Sequence, residues 1–404
     1  MPMPGKLEFA DGLRGVACST VVATHLFSLF WNAPELAAQF ANTTPPPAGI
    51  QLPAVAAVIR AVPHVDPGAF GVALFFLISG FVIPISLDRY SVLAFLVGRF
   101  WRIVPTYVAC FSITVGAIAL AGLHYGRPFP FSTAEVGLHA VPGPRFVTGS
   151  RFIDLVTWTL EVEVLFYVIC AVCAPALRHR SAWFMLIPVS VCVAFAYGRL
   201  LHDWPIFSHY APHLVFMFAG VAISAYHLGK ISLATAAASV AGCLVLAGIS
   251  LRHSGNPAVG LVATSSLAAL ALFLVMYRLR RHIRSAGALP FLARISYPLY
   301  VVHAIAGYAI MRVLLDWKLS PDIVTLAAAA AVMCVAALVH RAVERPTQAL
   351  GQSTARAITK RAATKTQKSS GRIGTRVPWA AAGALGSRIR RQLASARTDS
   401  RELS

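Results

Sequence analysis

The chain has 404 residues, of which 57% are hydrophobic and only 12% charged, with a mean hydropathy of +0.68 and a formal net charge of +20. So apolar a composition excludes a water-soluble globular enzyme and makes a lipid bilayer the natural solvent. Nor does the positive charge call for nucleic acid, because much of it falls in a terminal stretch placed beside a membrane.

Apolar windows of roughly 20 residues, the length needed to cross the hydrocarbon core, recur along the chain. They lie near 13–31, 68–87, 100–122, 155–175, 182–200, 209–227, 231–250, 257–277, 288–311 and 321–340. Windows this long predict helices, which satisfy their own backbone hydrogen bonds in lipid, and not barrel strands of about 10 alternating residues. The expected fold is therefore all-α, a polytopic bundle of ten spans over 1–346. No second folded domain is expected.

Placing Lys and Arg on the cytoplasmic side puts both termini there. Lys6, Arg89, Arg178, Lys230, Arg278, Arg280, Arg281 and Arg284 then lie inside, while Arg60, Arg127, Arg145, Arg151, Arg312 and Lys318 lie in longer outer connections. The first window lacks a small-x-small cleavage pattern and holds charged and polar side chains, so it reads as a retained span and not a signal peptide. All seven cysteines fall within spans, where they act as small apolar packing residues, and Cys170-x-x-Cys173 has no partner pair that would suggest metal.

Taken in order, the first span opens Asp11-Gly12-Leu13-Arg14-Gly15 and reaches His25 eleven positions after Arg14. At 3.6 residues per turn that is about three turns, so Arg14 and His25 share a helix face about 16 Å apart along the axis. Ionisable groups within a span are costly and face a partner or a cavity. His25 is either an interhelical hydrogen-bonding residue or a neutral imidazole serving as general base.

The second span, Gly71 to Phe81, ends in small residues suited to tight packing. The third opens with Arg99 and Arg102, whose guanidinium groups project from one helix face and suit a polyanion such as phosphate, although topology anchoring explains them too. Two outer connections, about 32–67 and 123–154, either merely join spans or offer a binding surface. The fourth span carries Trp158, Glu161, Glu163 and Tyr167. An acid there could orient His25, bind sugar hydroxyls or pair with a base on another helix, and one sequence does not decide which of the two acids faces inward. The ninth contains Ser296, Tyr297, Tyr300 and His303, a second intramembrane imidazole, and the tenth ends at Glu344-Arg345-Pro346. From 347 to 404 the composition turns to Ala, Ser, Thr, Lys and Arg. This predicts a disordered cytoplasmic tail whose basic clusters, Lys360-Arg361 and Arg388 to Arg391, attract anionic lipid.

In their order and spacing these motifs resemble the membrane-bound acyltransferase-3 family, which O-acylates bacterial surface polysaccharides and related molecules. The elements that carry the resemblance are Arg14 with His25, Phe75 to Phe81, Arg99 with Arg102, Trp158 to Tyr167, and Ser296 to His303, spread over roughly 7–346. The chain departs from the pattern in having Thr159 where Ser is usual, Val164-Leu165 after Glu163, an additional Glu161, and a basic tail where some members carry an esterase-like domain.

The resemblance implies an inner-membrane O-acyltransferase that takes acyl groups from cytoplasmic acyl-CoA, acetyl-CoA above all, to a hydroxyl of a glycan or glycolipid, with no metal. Arg14, Arg99 and Arg102 would bind the CoA phosphates, His25 would be the base with Glu163 beside it, and Asp11, Trp158, Tyr167 and His303 would contact substrate. The alternative is a transporter or flippase for an acyl or glycan intermediate, since buried charges also mark transport paths, but no paired repeats are evident.

Overall fold

The computed structural model describes residues 8–56, 64–202, 205–282 and 287–374. Lys6, Arg60, Arg284 and Arg388 to Arg391 lie outside the described residues. The described residues form helices and contain no strand. The helices used below are α1 (Glu8–Thr24), α2 (Pro34–Ala41), α3 (Pro67–Arg89), α4 (Val92–His124), α5 (Thr133–His139), α6 (Pro144–Thr148), α7 (Thr157–Val172), α8 (Leu186–His202), α9 (Pro205–His227), α10 (Leu233–Arg252), α11 (Val259–Arg278), α12 (Leu289–Asp316), α13 (Pro321–Val339) and α14 (Arg345–Gly374).

Each of the ten apolar windows coincides with a helix. Seven helices among the described residues are long and apolar enough to cross a membrane, and Ala182–Gly198 forms a shorter apolar one. The protein is a multi-pass helical membrane bundle. Because α1 begins next to the N-terminus and successive spans alternate in direction, the two faces are called here the N-terminal face and the far face.

At the centre stand α1, α3 and α12. The first packs against both others, α3 also touches α9 and α11, and α12 also touches α4 and α13. Apolar association alone does not hold helices together in lipid, so close approach at small residues supplies the contact. Gly80 and Gly220 mark such a crossing: a Cβ on Gly80 would run into the Met217 carbonyl oxygen, and one on Gly220 would meet the Leu77 carbonyl. An aromatic cluster of Phe9, Phe81, Phe273 and Tyr277 fills the space toward the N-terminal face, with ring centroids 5.6–6.0 Å apart around Phe9. The cysteines are free thiols, four of them buried as packing residues.

Chain contacts separate one unit ending at Ala355 from a second beginning at Arg356. The helix that follows the last span continues past 347, where a tail was expected to begin, and in its first part Gly351 lies against Trp101 of α4. Ala, Gln and Arg are good helix formers whatever their hydropathy, so a polar composition there is compatible with a helix.

Candidate functional site

A cavity opens among α1, α3, α4, α7 and α12. Arg14, Arg99 and Arg102 line its end toward the N-terminal face, Glu163 and Tyr167 one wall, and Thr159 and Tyr300 its inner end. Two clefts adjoin it at Arg102: one runs between α1 and α12 past Asp11 and Glu344, the other between α3, α4 and the start of α14. Gln348 lines both clefts.

The three arginines are held differently. Arg14 donates to Asp11 at 3.2 Å, one turn earlier on its own helix. The Arg99 guanidinium lies 5.3 Å from the centre of the Phe95 ring and 5.4 Å from that of Tyr167, a cation–π seat between two aromatic residues. Arg102 forms no ion pair among the described residues, which leaves its five N–H groups for a ligand.

Glu163 accepts hydrogen bonds from Ser79 Oγ at 2.9 Å and from the Tyr167 hydroxyl. It belongs to the arginine-lined part of the cavity and makes no bond to His25. Glu161, two residues earlier and therefore about 200° around the helix, turns the other way: its carboxylate takes both Nε and Nη2 of Arg145, at 2.8 and 2.6 Å, and the Tyr210 hydroxyl. Both charges are buried, with Arg145 3% and Glu161 2% exposed. The pair fastens α6, and with it the 123–154 connection, to the far end of α7.

His25 sits where α1 passes into a π-helical turn, His25–Leu29, a local widening of the kind often found at functional sites. Its Nδ1 lies 3.1 Å from the Tyr308 hydroxyl of α12, and its ring meets that of His303 edge-on with centroids 4.9 Å apart. Gly307 lets this happen, because a side chain there would strike Leu26. His303 is fully buried, and its Nδ1 lies 2.9 Å from the Tyr300 carbonyl and 3.1 Å from the Leu299 carbonyl. Only an N–H can make those contacts, so Nε2 of the neutral His303 ring carries the lone pair, and it has no partner among the described residues.

Arg14 lines the cavity, whereas His25 and His303 are not among its lining residues; the nearest link is Tyr300 at the inner end, whose ring is 5.9 Å from that of His303, which in turn meets His25. Of the remaining expected residues, Tyr167 lines the cavity and Asp11 a cleft beside it. Trp158 stands apart from the cavity lining, packed 4.9 Å from the His213 ring and 6.3 Å from that of Phe76. Sequence reasoning took Ser79 only as a small packing residue of a motif and passed over Gln348 and Tyr308. Only placement of α3, α12 and α14 against α1 and α4 reveals them.

Beyond the spans, Asp154 is 1% exposed with one hydrogen bond, from the Val156 backbone N–H at 3.1 Å, and burial pushes its carboxyl up to about 7. His139 is shifted below the ordinary imidazole value, chiefly by burial and then by Arg145. Glu135 caps α5 and binds Arg151, which with Ser132 holds its carboxyl down to about 2.

A family model described as an acyltransferase domain matches residues 7–341. The Exopolysaccharide production protein ExoZ of Rhizobium meliloti (strain 1021) is 38% identical over 111 residues, covering 27% of this chain and 35% of that protein. The chain therefore aligns with about a third of that relative's length. No solved structure matches.

Proposed function

Because the chain belongs to this family of membrane acyltransferases, we propose that it transfers an acyl group, acetyl in the simplest case, from cytoplasmic acyl-CoA to a hydroxyl of an exported or surface glycan. Both termini then lie in the cytoplasm of a bacterium, and the bundle sits in its inner membrane. The observation that carries the reading is the cavity that leads from Arg14, Arg99 and Arg102 inward to Tyr300, with the His25–His303 pair directly beyond.

The donor enters from the N-terminal face. Its phosphates meet Arg102, with Arg14 and Arg99 adding positive potential, since guanidinium forks match phosphate oxygens. The pantetheine arm follows the apolar wall formed by Val72, Phe75 and Ile78 toward the inner end. From Arg14 to His25 the path is about 16 Å, the rise of eleven helical residues. The Ser79–Glu163–Tyr167 group fixes the cavity wall near the arginines and acts on the donor, whereas Tyr308 orients the base.

In the tautomer that catalysis requires, His25 donates Nδ1–H to the Tyr308 oxygen and offers Nε2 to the acceptor hydroxyl arriving from the far face. The hydroxyl proton passes to Nε2, the oxygen attacks the thioester carbon, and the departing thiolate recovers the proton. The acceptor class is supported by the name of the Rhizobium relative, which ties that protein to exopolysaccharide production.

Mass spectrometry of envelope glycans tests the reading. A deletion strain should lose one acyl mass from a glycan, and the wild-type chain, but not His25→Ala expressed at equal level, should restore it. Glycans unchanged by the deletion, or restored by His25→Ala, would contradict it.

A further inference from the structure

Six residues lining the cavity bear hydroxyls, and the acceptors they use differ. Ser79 and Tyr167 donate to the Glu163 carboxylate. Ser296 donates to the Ala293 carbonyl at 2.9 Å, Tyr297 to the Ile103 carbonyl at 3.0 Å, and Thr159 to the Val156 carbonyl at 2.9 Å. Each of these protons is held by a carboxylate or a backbone oxygen.

Tyr300 differs. Its hydroxyl lies 2.7 Å from Thr159 Oγ1; with the single Thr159 proton directed to the Val156 carbonyl at 2.9 Å, Thr159 accepts from Tyr300. Among the described hydroxyls of the cavity it is the one whose acceptor is merely another neutral hydroxyl. A carbonyl oxygen gathering negative charge is a much stronger acceptor than a threonine hydroxyl. Such an oxygen would draw the phenol proton from Thr159 with little to oppose it.

Position agrees with chemistry. Tyr300 closes the inner end of the cavity, with its ring 5.6 Å from that of Phe75 on one side and 5.9 Å from His303 on the other. His303 follows it by three residues on α12, about 4.5 Å along the axis. A thioester carried up the cavity therefore reaches Tyr300 just before it reaches the histidines.

We propose that Tyr300 is a catalytic residue that donates its phenolic hydrogen bond to the thioester oxygen as that oxygen becomes an oxyanion, an assignment that rests on the acyl transfer proposed above. The acceptor hydroxyl gives its proton to His25, and its oxygen forms a bond to the thioester carbon. The carbonyl π pair moves on to oxygen, where Tyr300 turns from Thr159 to donate. Collapse restores the C=O bond and breaks C–S, and the thiolate leaves with the proton from His25. The Tyr300 proton stays on Tyr300 throughout.

A purely structural tie between α7 and α12 is the competing account, and one variant separates the two. Tyr300→Phe keeps the ring between Phe75 and His303. The full chain in lipid nanodiscs is assayed with acetyl-CoA and with glycan prepared from the deletion strain. Its affinity for S-ethyl-CoA, a thioether that lacks the carbonyl, is measured alongside.

Loss of an oxyanion donor lowers kcat about 10²- to 10³-fold, while S-ethyl-CoA should bind the variant within about twofold of wild type, because no contact to the carbonyl exists to be lost. A kcat within about threefold of wild type, or an S-ethyl-CoA affinity that falls in step with kcat, overturns the assignment. If the wild-type chain itself moves no acyl group from acetyl-CoA, the transfer reading fails and takes this one with it. Wild-type turnover with an unaffected variant overturns the Tyr300 role alone.

Discussion

Replacing Arg102 by Ala should weaken donor binding without harming the fold. The side chain forms no ion pair among the described residues, so its removal orphans no charge directly bonded to it. Buried Glu344, which feels Arg102 electrostatically, keeps its hydrogen bonds with His340 Nδ1 at 2.6 Å and from Gln348 at 2.8 Å. Arg14 and Arg99 stay in place through Asp11 and the Phe95 and Tyr167 rings. What is lost is one charge-assisted contact to phosphate, worth about 1.5–3 kcal/mol, or about 10- to 150-fold in Kd. Calorimetric titration of CoA into nanodisc-embedded protein measures it, with pantetheine, which lacks phosphate, as the control. Arg102→Lys should fall between, because the charge remains but the fork does not. Unchanged CoA affinity, or an equal loss for pantetheine, would refute a phosphate role.

Breaking the Arg145–Glu161 pair probes the far face. Arg145→Ala leaves a carboxylate that is 2% exposed without its cation and should cost about 3–5 kcal/mol, whereas the double variant Arg145→Met/Glu161→Leu should recover most of that. Melting in detergent compares them, and equal midpoints for the single and double variants would show that the unpaired charge is not the cost. Asp154 makes stability pH-dependent. Its carboxyl titrates near 7 in the folded chain against a reference of 3.8, so the folded state favours the protonated form, and that stabilisation, full below pH 3.8, declines as pH rises toward 7. Asp154→Asn should melt increasingly above wild type across this window, and a difference independent of pH would contradict the shift.

Much of this site could be read before any coordinates because helix geometry fixes relative phase. Arg14 and His25 are one face of one helix, and Arg99 and Arg102 one face of another, whatever surrounds them. Tertiary placement decided the rest. Glu161 and Glu163 point to opposite sides of α7, and what distinguishes them is an arginine in the preceding connection and a serine on α3, partners that no local spacing reveals. Tyr308 reaches His25 only because Gly307 lets α12 come close, and Trp158, in a motif that sends Thr159, Glu163 and Tyr167 to the cavity, turns toward His213. Past the last span, low hydropathy suggested an unstructured tail, while the helix runs on from Arg345 with Gly351 set against Trp101 of α4, a tertiary contact that composition does not reveal.

The account stands on a donor and an acceptor that approach His25 from opposite faces of the membrane. Sealed proteoliposomes of known protein orientation, with acetyl-CoA confined to one side and deacylated glycan to the other, test this directly. Transfer should occur only when acetyl-CoA is on the face that bears Arg14, Arg99 and Arg102, and it should vanish in His25→Ala although CoA still binds. Equal transfer with acetyl-CoA on the far face, or transfer that survives loss of the imidazole, would contradict it.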